Sequence, residues 1–427
     1  MMIKNLPLLL FIIIVIGSCS DAEDLGPGDT FLKYYGEAGI QGGEEILYLS
    51  ESGESILYGV QISAEEAQSD LYLLKVDANG NEIASETYDL TDTATFGSEA
   101  RFNDIAGSLR REGSQLYFIG SSQNANFSSL TWAIFDLDFG LEQQGWISID
   151  GVSLAGKDLF ADNEELVLVG TADAVLQPGD PLSSNSADEQ QIYLARINPA
   201  DPDSILVQRT RGFEGRDDVL YVDRFADDNI VIIGTTQRTS SRGTNILVMA
   251  LNDIFSPRGN EEISIVIGGE DNYNEEVFDV YKRDDGYVIT GSSSRGPSAF
   301  PFFVNISYNA SGTITIDQRD TLGVSASTGN NGVGRGITFG PNGNYFIVGV
   351  MPTLDKGSEI MLLQTDQSGN HLEAFERGYG LTAGNDTGND IVVTTDGSLL
   401  ILSTVDLGQG NNLLSLMKVN TKGDLMR

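Results

Sequence analysis

The chain has 427 residues, with 62 acidic against 25 basic side chains and a formal net charge of −37. Such a charge repels nucleic acid and anionic membrane surfaces and attracts cations or basic partners, and it also suits a surface adapted to a salty medium. A single cysteine and a single histidine exclude an internal disulfide, Cys-based and His-rich metal sites, a catalytic thiol in the mature chain and most Ser-His-Asp arrangements.

The chain begins with one charge, Lys4, and an apolar stretch from Leu6 to Ile16. That stretch is too short to span a bilayer core, which needs about 20 helical residues, and it has the length of a signal-peptide core. Ile16-Gly17-Ser18-Cys19 reads as a lipobox. Its small residues let a peptidase reach the backbone, and the Cys19 thiol then takes a thioether-linked lipid. The expected organisation is a lipoprotein signal peptide over 1–18, a lipidated Cys and acidic tether over 19–29, and one folded unit over 30–427. Losing the leader removes Lys4 and no acid, which takes the charge from −37 to −38. A ten-residue tether reaches at most about 35 Å, so the folded part would stay close to the membrane.

From residue 30 onward an apolar strand ending in glycine recurs. It appears at Ile56–Gly59, Leu116–Gly120, Leu166–Gly170, Ile230–Gly234, Tyr287–Gly291 and Tyr345–Gly349, with Leu399–Ser403 as a seventh copy. The spacing averages about 57 residues, a period that marks repeat architectures. A strand and a tight turn precede each copy, as in Arg283–Gly286, Gly340–Gly343 and Thr395–Gly397, where Asp-Gly and Asn-Gly supply the positive φ of hairpin turns. A third strand follows each copy after a variable loop, and a fourth follows the third in six copies. The fourth strand due after Val419 is missing. Phe31-Leu32-Lys33-Tyr34-Tyr35-Gly36 matches the aromatic-glycine ending of Arg377-Gly378-Tyr379-Gly380. The fold expected is therefore an all-β, seven-bladed β-propeller of four-stranded antiparallel blades, the last blade closed by the N-terminal strand. Such closure leaves no open edge.

Two families are resembled. Ser20-Asp21-Ala22-Glu23-Asp24, directly after Cys19, is similar to the acidic signals of surface-exposed lipoproteins in Bacteroidetes-type bacteria. Asp284-Asp285-Gly286-Tyr287 and Lys75-Val76-Asp77-Ala78-Asn79-Gly80-Asn81 resemble degenerate propeller repeats of bacterial secreted and surface proteins. The first resemblance implies lipid anchoring at the outer membrane, facing the cell surface, with a periplasm-facing orientation as the alternative. The second implies fold only, because fold does not carry function.

Two constellations could bind. Glu45, Asp104, Asp158, Asp218, Glu276 and Asp390, with Arg335 in the sixth blade, recur where each innermost strand begins. In register they would ring the channel mouth, raise each other's pKa and hold a cation or basic group. Alternatively each accepts backbone hydrogen bonds from the next blade. The aromatics Phe96, Phe127, Phe213, Tyr273 and Phe300 fall in or beside variable loops, among them Ser292 to Pro301. They would stack on sugar rings or anchor a protein, or else pack beneath their own loops. Trp132 and Trp146 lie in strand patterns and are expected in the core, and His371 in a solvated turn.

No cofactor is expected. Asp77-Ala78-Asn79-Gly80-Asn81 resembles a Ca²⁺ loop but lacks the Asp-x-Asp-x-Asp-Gly spacing and the distal Glu, so it reads as a turn. Phosphate loops, nucleophile elbows and His-Glu-x-x-His are absent from the sequence. The reading that follows is a non-catalytic lipoprotein, not an enzyme, whose propeller binds a protein or joins an outer-membrane assembly. Its alternatives are a glycan-binding lipoprotein of a polysaccharide-uptake system and a glycosidase or lyase using channel carboxylates. The partners expected are the membrane, through the lipid on Cys19, and a protein or a glycan. Nucleic acid is not among them.

Overall fold

A computed structural model describes residues 30–425, except 37–38, 64–67, 91–102, 124–127, 175, 177–189, 214, 226–228, 238–242, 257–263, 268–272, 309–313, 325–330, 355–356 and 409–410. Cys19, the leader, Phe96 and Phe127 lie outside the described residues. The described chain forms 28 strands and one short 3₁₀ turn, Glu373–Phe375.

The strands make seven blades. The inner strands are β2 (Gly39–Leu49), β6 (Asn103–Glu112), β10 (Leu154–Asp162), β14 (Asp217–Phe225), β18 (Asn274–Arg283), β22 (Val333–Phe339) and β26 (Thr387–Val393). Each pairs antiparallel with a second strand: β3 (Glu54–Ser63), β7 (Gln115–Gln123), β11 (Glu165–Ala172), β15 (Asn229–Thr236), β19 (Gly286–Arg295), β23 (Tyr345–Pro352) or β27 (Leu399–Asp406). A third strand and a fourth, shorter than the third in every blade but blade 3, complete each sheet. In blade 1 these are β4 (Ser69–Val76) and β5 (Glu82–Tyr88).

Blade 7 closes as expected. Its third strand is β28 (Asn412–Val419), and its fourth is the N-terminal β1 (Phe31–Tyr35), antiparallel to β28 with Phe31 opposite Lys418 and Tyr35 opposite Leu414. Phe31 and Tyr35 are buried, and the Tyr35 hydroxyl donates to the Gly80 carbonyl in blade 1 at 2.7 Å. The closing strand thus also grips the next blade.

Seven apolar clusters hold the ring, one between each pair of neighbouring blades. The second strands show why their sequences read as unbroken apolar runs. On β15, Ile230 and Ile232 pack towards blade 3, while Val231 and Ile233 pack towards blade 5. Side chains alternate across a sheet buried on both faces, so both parities must be apolar. Each such side chain contributes about 1.5–3 kcal/mol by leaving water.

The glycine after each apolar run does not end the second strand but lies within it, and it has a specific cause. A Cβ on Gly59, Gly170, Gly291 or Gly349 would lie 1.8–2.0 Å from a carbonyl oxygen of the facing inner strand. In blade 7 Ser403 takes this place, and its hydroxyl shares a 2.6 Å hydrogen bond with Ser415.

Two local expectations are corrected. Ser292 to Pro301 is not a loop, because β19 and the third strand β20 (Ser298–Tyr308) pair without a break to Arg295 opposite Ser298. Gly343 and Gly397 have the expected positive φ, whereas Gly286 does not. Gly286 is small because Ile306 O would lie 1.9 Å from its Cβ.

Candidate functional site

Every inner strand carries a β-bulge at the same height, opposite the glycine just described. The register skips Glu44, Gly107, Lys157, Leu220, Phe278, Arg335 and Asn389 in blades 1 to 7. A bulge sets two consecutive residues against one partner and re-aims their side chains. Here it brings the skipped residue and, in every blade but the sixth, its successor to one cavity of about 540 Å³, lined from all seven inner strands and so lying on the ring axis.

The successors form one ring: Glu45, Ser108, Asp158, Tyr221, Asp279, Gly336 and Asp390. Its four acids, on blades 1, 3, 5 and 7, fasten neighbouring blades. Glu45 accepts the Leu109 N–H at 3.2 Å, Asp158 that of Val222 at 2.7 Å, Asp279 that of Ile337 at 2.7 Å and Asp390 that of Ile46 at 2.9 Å. Asp158, Asp279 and Asp390 also accept the N–H of their own next residue, at 2.6–2.8 Å. In these three, both oxygens are engaged. The Asp158 carboxylate further holds the Arg110 guanidinium, whose Nε lies 2.8 Å away and whose carbon sits 4.7 Å over the Tyr221 ring.

The skipped residues form a second ring with different chemistry. Glu44 is exposed to the cavity, and Lys157 lies 3.6 Å from Asp218. Arg335 sits 5.2 Å over the Phe278 ring, and its buried Nε has no hydrogen-bond partner. Tyr58, Phe278 and Tyr281 give the cavity flat apolar faces beside these charges.

Five carboxylates in one recess do not all ionise at ordinary values. Burial pushes Glu45 up to about 8, against the Leu109 N–H, and the charge of Asp158 adds to the rise. Burial, and then the charge of Asp390, lifts Asp279 to about 8. Burial, and then the charge of Glu45, lifts Asp390 to about 7. Asp158 is raised by burial against the pull of Arg110, and Glu44 by burial against the pull of Arg335.

Of the seven channel residues expected from sequence, Glu45, Asp158, Arg335 and Asp390 line this cavity. Asp104, Asp218 and Glu276 stand on the same inner strands but three or four positions ahead of the ring. Asp104 pairs across the ladder with Ser122, Asp218 with Thr235 and Glu276 with Ser292. Sequence reasoning missed Glu44, Arg110, Lys157, Tyr221 and Asp279. A usable signal was present, since Glu45 precedes Gly59 by 14 positions and Asp158 precedes Gly170 by 12. Counting back 12 to 14 positions from the glycine, or from Ser403 in blade 7, brackets each bulge.

The loop aromatics within the described residues are partly buried. Phe213 packs on the core between blades 3 and 4, Tyr273 lies under Arg295 at 5.5 Å, and Phe300 belongs to β20. Trp132 is buried, and Trp146 donates its indole N–H to Leu90 O at 2.7 Å. His371 is in its turn but not solvated; its side chain is 11% exposed, 3.9 Å from Glu376. The Asp77 carboxylate is filled within its own turn by the N–H groups of Asn79 and Asn81 at 2.9 and 2.8 Å.

No known family matches the sequence, and neither does any curated protein. Among solved structures, the α-L-arabinofuranosidase of Fusarium graminearum is 11% identical with a TM-score of 0.41, over 91% of this chain and 98% of that one. The α-L-arabinanase of Penicillium chrysogenum is 14% identical with a TM-score of 0.41, over 92% and 97%. The sialidase of Trypanosoma rangeli is 8% identical with a TM-score of 0.41, over 94% of this chain and 58% of the sialidase. At these values the likeness is one of fold.

The expectation of a non-catalytic, protein-binding module that is not an enzyme is corrected here. The absence of a catalytic sequence motif does not exclude an enzyme, because function lives in the site. The axial cavity, moreover, gathers the acids, bases and aromatic faces that the missing sequence motifs had seemed to exclude.

Proposed function

We propose that the protein is a carboxylate-dependent glycosidase or lyase that takes a glycan into the axial cavity. The observation that supports this reading is the bulge on β2, which sets two consecutive carboxylates, Glu44 and Glu45, in a recess with aromatic walls. Acid–base assignment follows from environments that push two carboxyls apart. Glu45, lifted to about 8, holds a proton at neutral pH for a leaving oxygen. Glu44 is also raised by burial, but Arg335 opposes that rise and favours its carboxylate form, so it is the partner assigned the carboxylate role. Chromogenic aryl glycosides and a polysaccharide panel test the reading. Turnover that collapses in Glu44→Gln supports it, and no cleavage of any of them by the intact protein rejects it.

One observation favours a second reading, glycan binding without turnover. Three of the five cavity acids already have both oxygens committed to backbone N–H groups. Retardation on an affinity gel by a glycan that is never cleaved would select it.

We infer further that Cys19 carries a lipid and holds the propeller at the outer membrane, facing the cell surface. The lipobox and the acidic residues behind it support this. Labelling with an alkyne fatty acid should mark the intact protein, and Cys19→Ala should abolish the label. Equal labelling of both would reject it.

A further inference from the structure

Away from the axis, three carboxylates converge where blade 1 meets blade 2. Asp70 opens β4, Asp89 follows the end of β5 and Asp104 begins β6. One oxygen from each lies within 4.8 Å of the others. Two oxygens bound to one ion at about 2.4 Å can be no more than about 4.8 Å apart, so the spread fits a single calcium-sized cation. Ca²⁺ tolerates irregular sets of carboxylate oxygens, whereas Mg²⁺ demands a near-ideal octahedron.

A second observation points the same way. Asp104 is 3% exposed, and its Oδ1 has no hydrogen-bond partner. Its Oδ2 accepts the Leu90 N–H at 2.7 Å. Opposite Asp104 on the β6–β7 ladder stands the fully buried Ser122. An orphaned buried oxygen is destabilising. A cation would supply the partner that Asp104 Oδ1 lacks.

We propose that Asp70, Asp89 and Asp104 form a Ca²⁺ site that pins the outer strand of blade 1 to the inner strand of blade 2. The site is independent of the axial cavity and of the chemistry assigned to it. It also differs from the Asp77 turn, whose carboxylate is filled from within.

Trp146 offers a local reporter, since its indole N–H is bonded to Leu90 O while the Leu90 N–H is bonded to Asp104. Tb³⁺, a Ca²⁺ substitute, is titrated into the chelator-treated full chain with tryptophan excitation. Saturable Tb³⁺ emission displaced by Ca²⁺, with an affinity on the order of 10⁻⁴ M for Ca²⁺, is expected. Ca²⁺ at 10 mM should raise the Tm by about 2–4 °C over chelator. Asp89→Asn alters an exposed ligand, and it should weaken binding at least ~10-fold and remove the Tm rise. Asp104→Asn, which keeps an acceptor for Leu90, should do the same. Absence of Ca²⁺-displaceable emission overturns the proposal, as does emission unchanged in both variants.

Discussion

Asp158 and Asp390 occupy equivalent places on blades 3 and 7, yet their surroundings differ. Asp158 stands between Ser108 and Tyr221 in the ring and is paired with Arg110. Asp390 stands between Gly336 and Glu45, and Glu45 raises its pKa. The cause is arithmetic. An acid on every second blade alternates cleanly around an even ring, but around seven blades one pair must be adjacent. That pair falls at the seam between blades 7 and 1, where the two ends of the chain meet. Like charge therefore collects at the seam, and Glu44 adds to it. A fastening motif thus yields a cluster of perturbed acids at one side of the channel.

The sharpest way to break the comparison is to open the seam itself. Deleting residues 30–36 removes β1, exposes the edge of β28 and uncovers the core around Leu414 and Leu416. The expected outcome is loss of cooperative thermal unfolding and aggregation, seen by calorimetry and light scattering. Phe31→Ala alone should cost about 3–5 kcal/mol in urea unfolding.

Next in size is Asp158→Ala. It strands the Arg110 guanidinium and frees the Val222 N–H, and it should cost about 3–5 kcal/mol. Gly170→Ala drives a Cβ to 2.0 Å from Ala155 O. It should cost about 1–3 kcal/mol and shift the bulge that carries Lys157 and Asp158.

The smallest effect is expected at the seam acid. Asp390→Asn keeps one acceptor, sets its amide N–H₂ against the other backbone N–H, and should cost about 1–2 kcal/mol at pH 6. Its pH dependence carries the information. Glu45, Asp279 and Asp390 have folded pKa values of about 8, 8 and 7, raised above the unfolded values. The folded state therefore binds more protons than the unfolded state between pH 4 and 8, so stability falls as pH rises through that window. The Tm should drop from pH 6 to pH 9, and Asp390→Asn should flatten the drop. A variant whose Tm falls as steeply as that of the parent would show that seam charge is not the source.

Much of this was legible in the sequence. The glycine after each apolar run reports a steric constraint that every blade repeats, and the aromatic-glycine ending of Phe31–Gly36 identifies the closing strand. The channel ring was legible only in part. Glu45, Asp158 and Asp390 were found because their acids fall at the right height. In blades 2 and 4 Ser108 and Tyr221 take that place, and the nearest acids, Asp104 and Asp218, lie elsewhere on the strand. A bulge shifts pairing by one residue without changing composition, so alternation could not reveal it. Asp70 and Asp89 also escaped notice, because they join Asp104 only through the packing of two blades.

The two rings of the axial cavity also predict a division of labour, with one fastening blades and, through Glu45 alone, sharing in the chemistry, and the other meeting substrate. The most direct test measures Glu44→Gln beside the parent, reading both glycan hydrolysis and Tm. Glu44 is exposed and on the substrate-facing ring. The account predicts a fall in kcat of about 100-fold or more with the Tm unchanged within about 1 °C. Undiminished hydrolysis in Glu44→Gln, or a loss of activity that merely follows a loss of stability, would contradict it.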